Sequence, residues 1–158
     1  PMSARRQRQM CIRDRISIDP GFYQNSIMVE LSTSSNTEQI YYSLDGSKPV
    51  SVSSLYSGPI IIESTAVLKT RSIENGKLPG NINSSTYFIS ENTNIPTISL
   101  ISEPETLWDE EIGIYENEYK QREIPITLYY FTEEDELGFT VNAGARLGGE
   151  NILSLIHI

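Results

Sequence analysis

The sequence predicts a mostly β protein, with a small antiparallel β-sandwich over residues 16–90 and an incomplete α+β unit over 97–152. Three observations lead there. Turn signals recur about every 8–12 residues up to residue 89, the spacing of a small all-β sandwich. Between them lie short runs of alternating apolar and polar residues, the period of a half-buried strand. The pattern then lapses in the polar stretch SENTNI before Pro96, so 91–96 is the expected linker.

The organising stretch is IYYSLDGSKPV, residues 40–50. Ile40, Tyr42 and Leu44 alternate with Tyr41 and Ser43, which predicts a strand. Asp45-Gly46 supplies hairpin-turn chemistry: an Asp able to bond its own backbone and a Gly free to take positive φ. Pro49 cannot donate to a ladder and should end pairing. Upstream, 26–31 alternates as a strand and 32–38 is a polar loop. Downstream, 60–62 is a short apolar run. Residues 66–73 form a strand with Leu68, Thr70 and Ser72 on one face and Lys69 and Arg71 on the other. Asn75-Gly76 turns the chain and 85–89 closes the unit. Roughly 70 residues can hold one modest core without disulfides.

These residues carry a resemblance. YYSLDGSKPVSVSSLYSGPIII with STAVLKTRSIENGKLPG is similar to the chitobiase/β-hexosaminidase C-terminal-type module. Tyr42, Asp45, Gly46, Ser47, Pro49, Tyr56, Pro59 and Gly76 fall on its pattern, and Val50 replaces a frequent Thr. The resemblance implies an immunoglobulin-like sandwich with a structural or accessory role in a secreted or surface protein.

Beyond the linker, 97–101 is extended. Ser102, Glu103, Pro104 and Glu105 combine a hydroxyl cap, an early Pro and first-turn acids, predicting a short helix before Asp109. Residues 124–131 form a strand rich in Tyr and β-branched residues, 133–136 an acidic hairpin tip, and 139–147 the returning strand. PTISLISEPETLWDEEIGIY, REIPITLYYF and GFTVNAGARLGG resemble the opening of CotH-type spore-coat proteins. Pro104, Leu107, Trp108, Asp109, Gly113, Ile114, Tyr115, Arg122, Pro125, Asn142, Ala143, Gly144, Arg146 and Gly149 match, and Gly148 departs. That resemblance implies a parent that is an atypical protein kinase using ATP and a divalent metal, held by residues further along. The stretch present here should then be inactive, with an unpaired strand edge after Leu147.

The ends differ in kind from what they flank. Residues 1–15, PMSARRQRQMCIRDR, hold five of the twelve basic residues and the single Cys, without the apolar run of a signal peptide. They and the tail 153–158 resemble translated sequencing-adapter sequence and are expected to be foreign; the alternative for the first is a basic nucleic-acid-binding arm. Between them, over 16–152, seven cations face twenty carboxylates, a balance of −13 against −9 for the whole chain. So acidic a surface repels phosphate backbones and anionic lipid, which argues against nucleic-acid and membrane partners. No apolar run approaches the ~20 residues of a membrane span.

Cys11 and His157 are the lone Cys and His, and both lie in those ends. The middle therefore lacks a thiolate, an imidazole base and the usual zinc ligands. No catalytic residue and no metal ligand is assigned. Asp109, Glu110 and Glu111, and Glu133, Glu134, Asp135 and Glu136, could gather oxygens for calcium, but solvated loops explain them as well. Trp108, Tyr41, Tyr42 and Tyr56 could stack on sugar rings, with core packing the ordinary alternative. Arg146, beside the glycines of 144–149, is the candidate phosphate contact, against a bulged strand. Two functions stand: an inactive part of a secreted or cell-surface CotH-type protein with the sandwich as stalk, or a carbohydrate-binding or adhesive accessory module of an extracellular polysaccharide-acting protein.

Overall fold

The computed structural model describes residues 15–33, 38–117, 120, 122–148 and 152–156. Cys11, His157 and the basic arm apart from Arg15 lie outside these.

The first unit packs a five-stranded sheet against two short ladders. The sheet runs β2 (Gly21–Tyr23), β9 (Asn83–Ile89), β8 (Ala66–Ile73), β5 (Gln39–Ser43), β6 (Ser54–Leu55). One ladder joins β1 (Arg15–Ile16) to β4 (Leu31–Ser32), the other β3 (Ile27–Val29) to β7 (Ile60–Ile62). Alternation puts Val29, Leu31, Ile60 and Ile62 inward from the ladders, and Ile40, Leu68, Tyr87 and Ile89 inward from the sheet. Each such side chain contributes about 1.5–3 kcal/mol on burial, so this cluster is what holds the unit. The single strand expected at 26–31 is split: β3 and β4 join different partners on either side of Glu30. One edge also departs from an all-antiparallel arrangement, because β2 joins β9 in parallel, Gly21 opposite Tyr87.

The Asp45-Gly46 turn is not a hairpin tip. Gly46 does take positive φ, +76°, but β5 pairs with β6 only beyond a loop that reaches residue 53. Asp45 instead makes an isolated parallel bridge to Val67, and Gly46 N donates to Val67 O at 3.2 Å. The Asp45 carboxylate accepts from Ser47 N at 3.0 Å and Ser47 Oγ at 2.6 Å. Those two bonds to Ser47, side chain first, hold its pKa below the ordinary value. The turn therefore opens a longer loop, and the next strand, β6, returns beside β5 with Tyr41 opposite Leu55 and Tyr42 opposite Ser54.

The second unit is a four-stranded sheet, β10 (Thr97–Ile101), β11 (Ile124–Phe131), β12 (Leu137–Gly148) and β13 (Ile152–Ile156), with α1 (Pro104–Trp108) after β10. The helix begins where the sequence places it, but Ser102 does not cap it. The cap residue is Glu103, with no side-chain bond. Ser102 Oγ lies 2.9 Å from Thr106 Oγ1 and donates to Pro125 O at 2.9 Å, tying the helix to β11. Nor does pairing stop at Leu147: β13 runs along β12, from Gly144 opposite Ile156 to Gly148 opposite Ile152. An apolar segment lying on an open strand edge is what such an edge recruits.

Between the units, the sheets meet face to face. Ile101, Tyr129 and Phe131 pack against Phe22, Val67 and Phe88. Phe22 and Phe88 stack at 4.4 Å, and both stand perpendicular to Phe131, at 5.4 and 5.7 Å. Thr86 Oγ1 and Ser99 Oγ lie 2.8 Å apart, and Tyr129 OH donates to Ser84 O. The polar stretch before β10 is held too, with Thr93 Oγ1 donating to Ile95 O at 3.1 Å and lying 3.4 Å from Asp135 Oδ1.

Candidate functional site

Both faces of β8 are covered as a result, which changes what Lys69 is. Alternation does place it opposite Leu68 and Thr70, but that face is an interface, and Lys69 is 3% exposed. Its Nζ donates to Ser102 O at 3.1 Å and to Glu103 Oε1 at 3.0 Å. A cleft of about 450 Å³ opens beside this pair, with Ser84, Thr127 and Asn142 in its walls. Thr127 Oγ1 donates to Asn142 Oδ1 at 3.0 Å. The cation is thus committed to a carboxylate and the nearby polar groups to each other.

The two acidic clusters sit on hydrogen-bonded turns. Asp109 Oδ1 accepts from Glu111 N at 2.8 Å and Ile112 N at 3.0 Å. The bond from Ile112, then that from Glu111, keeps its pKa below the ordinary value. At the other cluster Asp135 takes φ of 61°, Asp135 N donates to Thr132 O at 3.1 Å, and Thr132 N to Glu136 O at 2.8 Å. Among the described residues no three His, Cys, Asp or Glu side chains are grouped to hold a metal ion.

Arg146 lies exposed on β12 opposite Ser154. The strand is regular there; the irregularity in its pairing with β11 falls at Tyr130/Phe131 instead. The space over Gly144 holds the Glu123 carboxylate, whose Oε1 would stand 2.2 Å from an added Cβ. Gly149 lies outside the described residues.

The aromatic candidates divide. Tyr42 and Tyr56 pack against the first core, and Tyr41 OH donates to Gln39 Oε1 at 3.1 Å. Core packing fails as an account of Trp108, which is 60% exposed. Its ring stacks on Tyr115, centroids 4.5 Å apart and planes 16° apart. Sequence reasoning passed over Tyr115 as a partner because only the fold of 109–117 brings the two rings together. It likewise missed the Lys69–Glu103 pair, separated by 34 residues.

The family model described as Chitobiase/beta-hexosaminidase C-terminal domain matches residues 18–86, and that stretch is a domain of this type. Its motif residues turn out to be structural: Asp45 and Ser47 make the turn, Pro49 is fully buried and Tyr56 backs the core. The resemblance of 97–152 to CotH-type proteins gains no support. No curated protein and no solved structure matches the chain.

Proposed function

We propose that this protein is a non-catalytic accessory module that attaches to polysaccharide or to a sugar-bearing surface outside the cell. The observation that carries this is the domain over 18–86, a type named for the C-terminus of chitobiase and β-hexosaminidase. The surface charge supports it, since an excess of carboxylates disfavours polyanions while leaving uncharged or cationic glycans free to approach. The cleft supports it by what it contains: its Lys69 is paired with Glu103, and its hydroxyl and amide groups are suited to hydrogen bonding and not to bond cleavage. The comparisons lend no support to a kinase parent.

Retention of the purified protein on insoluble chitin, chitosan, cellulose and peptidoglycan tests the proposal. Saturable retention on at least one, with no release of soluble sugar, is expected. Passage through all four at low and moderate salt would refute it.

A further inference from the structure

The segment 109–117 is built as a bracket. Ile114 N donates to Thr106 O at 2.9 Å and Tyr115 N to Leu107 O at 3.1 Å, folding the chain back over α1. Gly113 N donates to Asp109 O at 2.8 Å, and a Cβ at Gly113 would meet Asp109 N at 2.5 Å and Leu107 O at 2.8 Å, so no side chain fits there. Asn117, 5% exposed, donates through Nδ2 to Glu110 O and Gly113 O, each at 3.0 Å. Arg122 donates to Ile112 O at 3.0 Å. Ile114 is buried in the second core and Leu107 packs against it, pinning the bracket from beneath.

What the bracket presents outward is Trp108 and Tyr115, 60% and 45% exposed. Neither ring is among the side chains buried in or packed against the three hydrophobic clusters. A stacked pair closes one face of each ring and leaves the other to water, so the outward Trp108 face is flat, apolar and fixed. A rigid aromatic surface held this way loses little freedom on binding. The complementary ligand has one flat C–H face and a rim of hydrogen-bond donors, because Glu110, Glu111 and Glu116 are exposed on the same loop. Anionic ligands are disfavoured by those carboxylates and by the overall charge. A pyranose ring meets every condition, whether its rim carries hydroxyls alone or also an ammonium group.

We infer that the Trp108–Tyr115 platform is the seat of a pyranose ring, which puts the sugar contact outside the domain over 18–86. This rests on the proposal that the protein attaches to polysaccharide, and the test separates the two. Trp108 is the protein's single tryptophan, so its fluorescence reports from the platform alone. Oligomers of N-acetylglucosamine, of glucosamine and of glucose are titrated while emission is followed, and retention on the matching polymers is measured in parallel. At least one oligomer should shift the emission. Trp108→Ala and Tyr115→Ala should each weaken retention at least tenfold, while Trp108→Phe keeps part of it and Phe139→Ala, an exposed aromatic elsewhere, keeps all. Far-UV circular dichroism and Tm check that the variants are folded. Preference for glucosamine oligomers would support the platform with its acidic rim, and equal binding of all three would support the ring face alone. Undiminished retention in Trp108→Ala, or retention with silent emission, would overturn the platform and leave the accessory function standing. No retention of the wild type on any polymer would overturn both.

Discussion

The two units spend their apolar residues differently. In the first, one face of the five-stranded sheet closes on the short ladders through Leu68, Tyr87 and Ile89, and the other is covered by the second unit. In the second, one face of the sheet is that same interface. The opposite face is capped by Leu107 and Ile114 at one end only, while Ile98, Leu100 and Phe139 stay exposed at the other. Those three share a face with the cap: Ile98 lies opposite Tyr130 and Tyr130 opposite Phe139. A core surrounded on all sides needs nothing from outside; a sheet with one docked face depends on what it docks to. The first unit is therefore the scaffold, and the second borrows stability from it.

The sharpest way to break that asymmetry is at Phe131, 0% exposed and packed at right angles to the stacked Phe22 and Phe88 rings. Phe131→Ala should cost about 3–5 kcal/mol, the usual range for a buried Phe, and the cost should fall on the second unit. Denaturant unfolding followed by Trp108 emission, which reports on the second unit, should then precede unfolding followed by circular dichroism. Coincident curves shifted together would mean that the units unfold as one body.

Next in size is the Lys69–Glu103 pair, whose side chains are 4% and 29% exposed. Glu103→Ala strands a buried ammonium and should cost about 3 kcal/mol, whereas Lys69→Met removes the buried charge and leaves a carboxylate that water reaches, for about 1 kcal/mol. Chemical denaturation of both variants gives the comparison. Equal losses would show that the ammonium finds another acceptor in the cleft.

Alkali should act on both regions at once. Burial, as the leading cause, raises the pKa of Tyr87 in the first core and of Tyr129 at the interface above the ordinary 10.0. Each is buried with its proton on, Tyr87 OH donating to Ile18 O at 2.8 Å and Tyr129 OH to Ser84 O. Their contribution is fully present below pH about 10 and is lost as pH rises through the raised values, because the unfolded chain ionises first. Tm measured from pH 8 to 12 should fall beyond 10, and less steeply in Tyr129→Phe. An unchanged slope in that variant would locate the alkaline sensitivity elsewhere.

The smallest effect has the opposite sign. Thr70 is 0% exposed in the first unit, and its Oγ1 has no hydrogen-bond partner. Thr70→Val removes an unsatisfied hydroxyl at nearly constant shape and should stabilise by about 1 kcal/mol. Destabilisation by thermal melting would reveal an acceptor or a water at that hydroxyl.

Where the physics is local, the sequence by itself was enough. Alternation located β5 and β8, and apolar or β-branched runs located β7, β10 and β11, all within a residue or so; the D-G-S turn and the short helix after Ser102 follow from φ preferences and early-turn chemistry that neighbours scarcely alter. Strands of two or three residues, such as β2 and β6, left no periodicity to read. The same alternation said which residues share a face but not what covers it. Lys69 and Leu68 are both buried because β8 is sandwiched between two layers, and no period of two can announce a second layer arriving from residues 97–131. Ser102 could cap a helix on local grounds, yet bonds to Thr106 and Pro125 instead. Trp108 and Tyr115 are seven positions apart in a chain that any helix or strand would have kept separate. Only the backbone reversal at Gly113, possible because no Cβ intrudes on Asp109 and Leu107, lays one ring on the other, and that contact is tertiary by its nature.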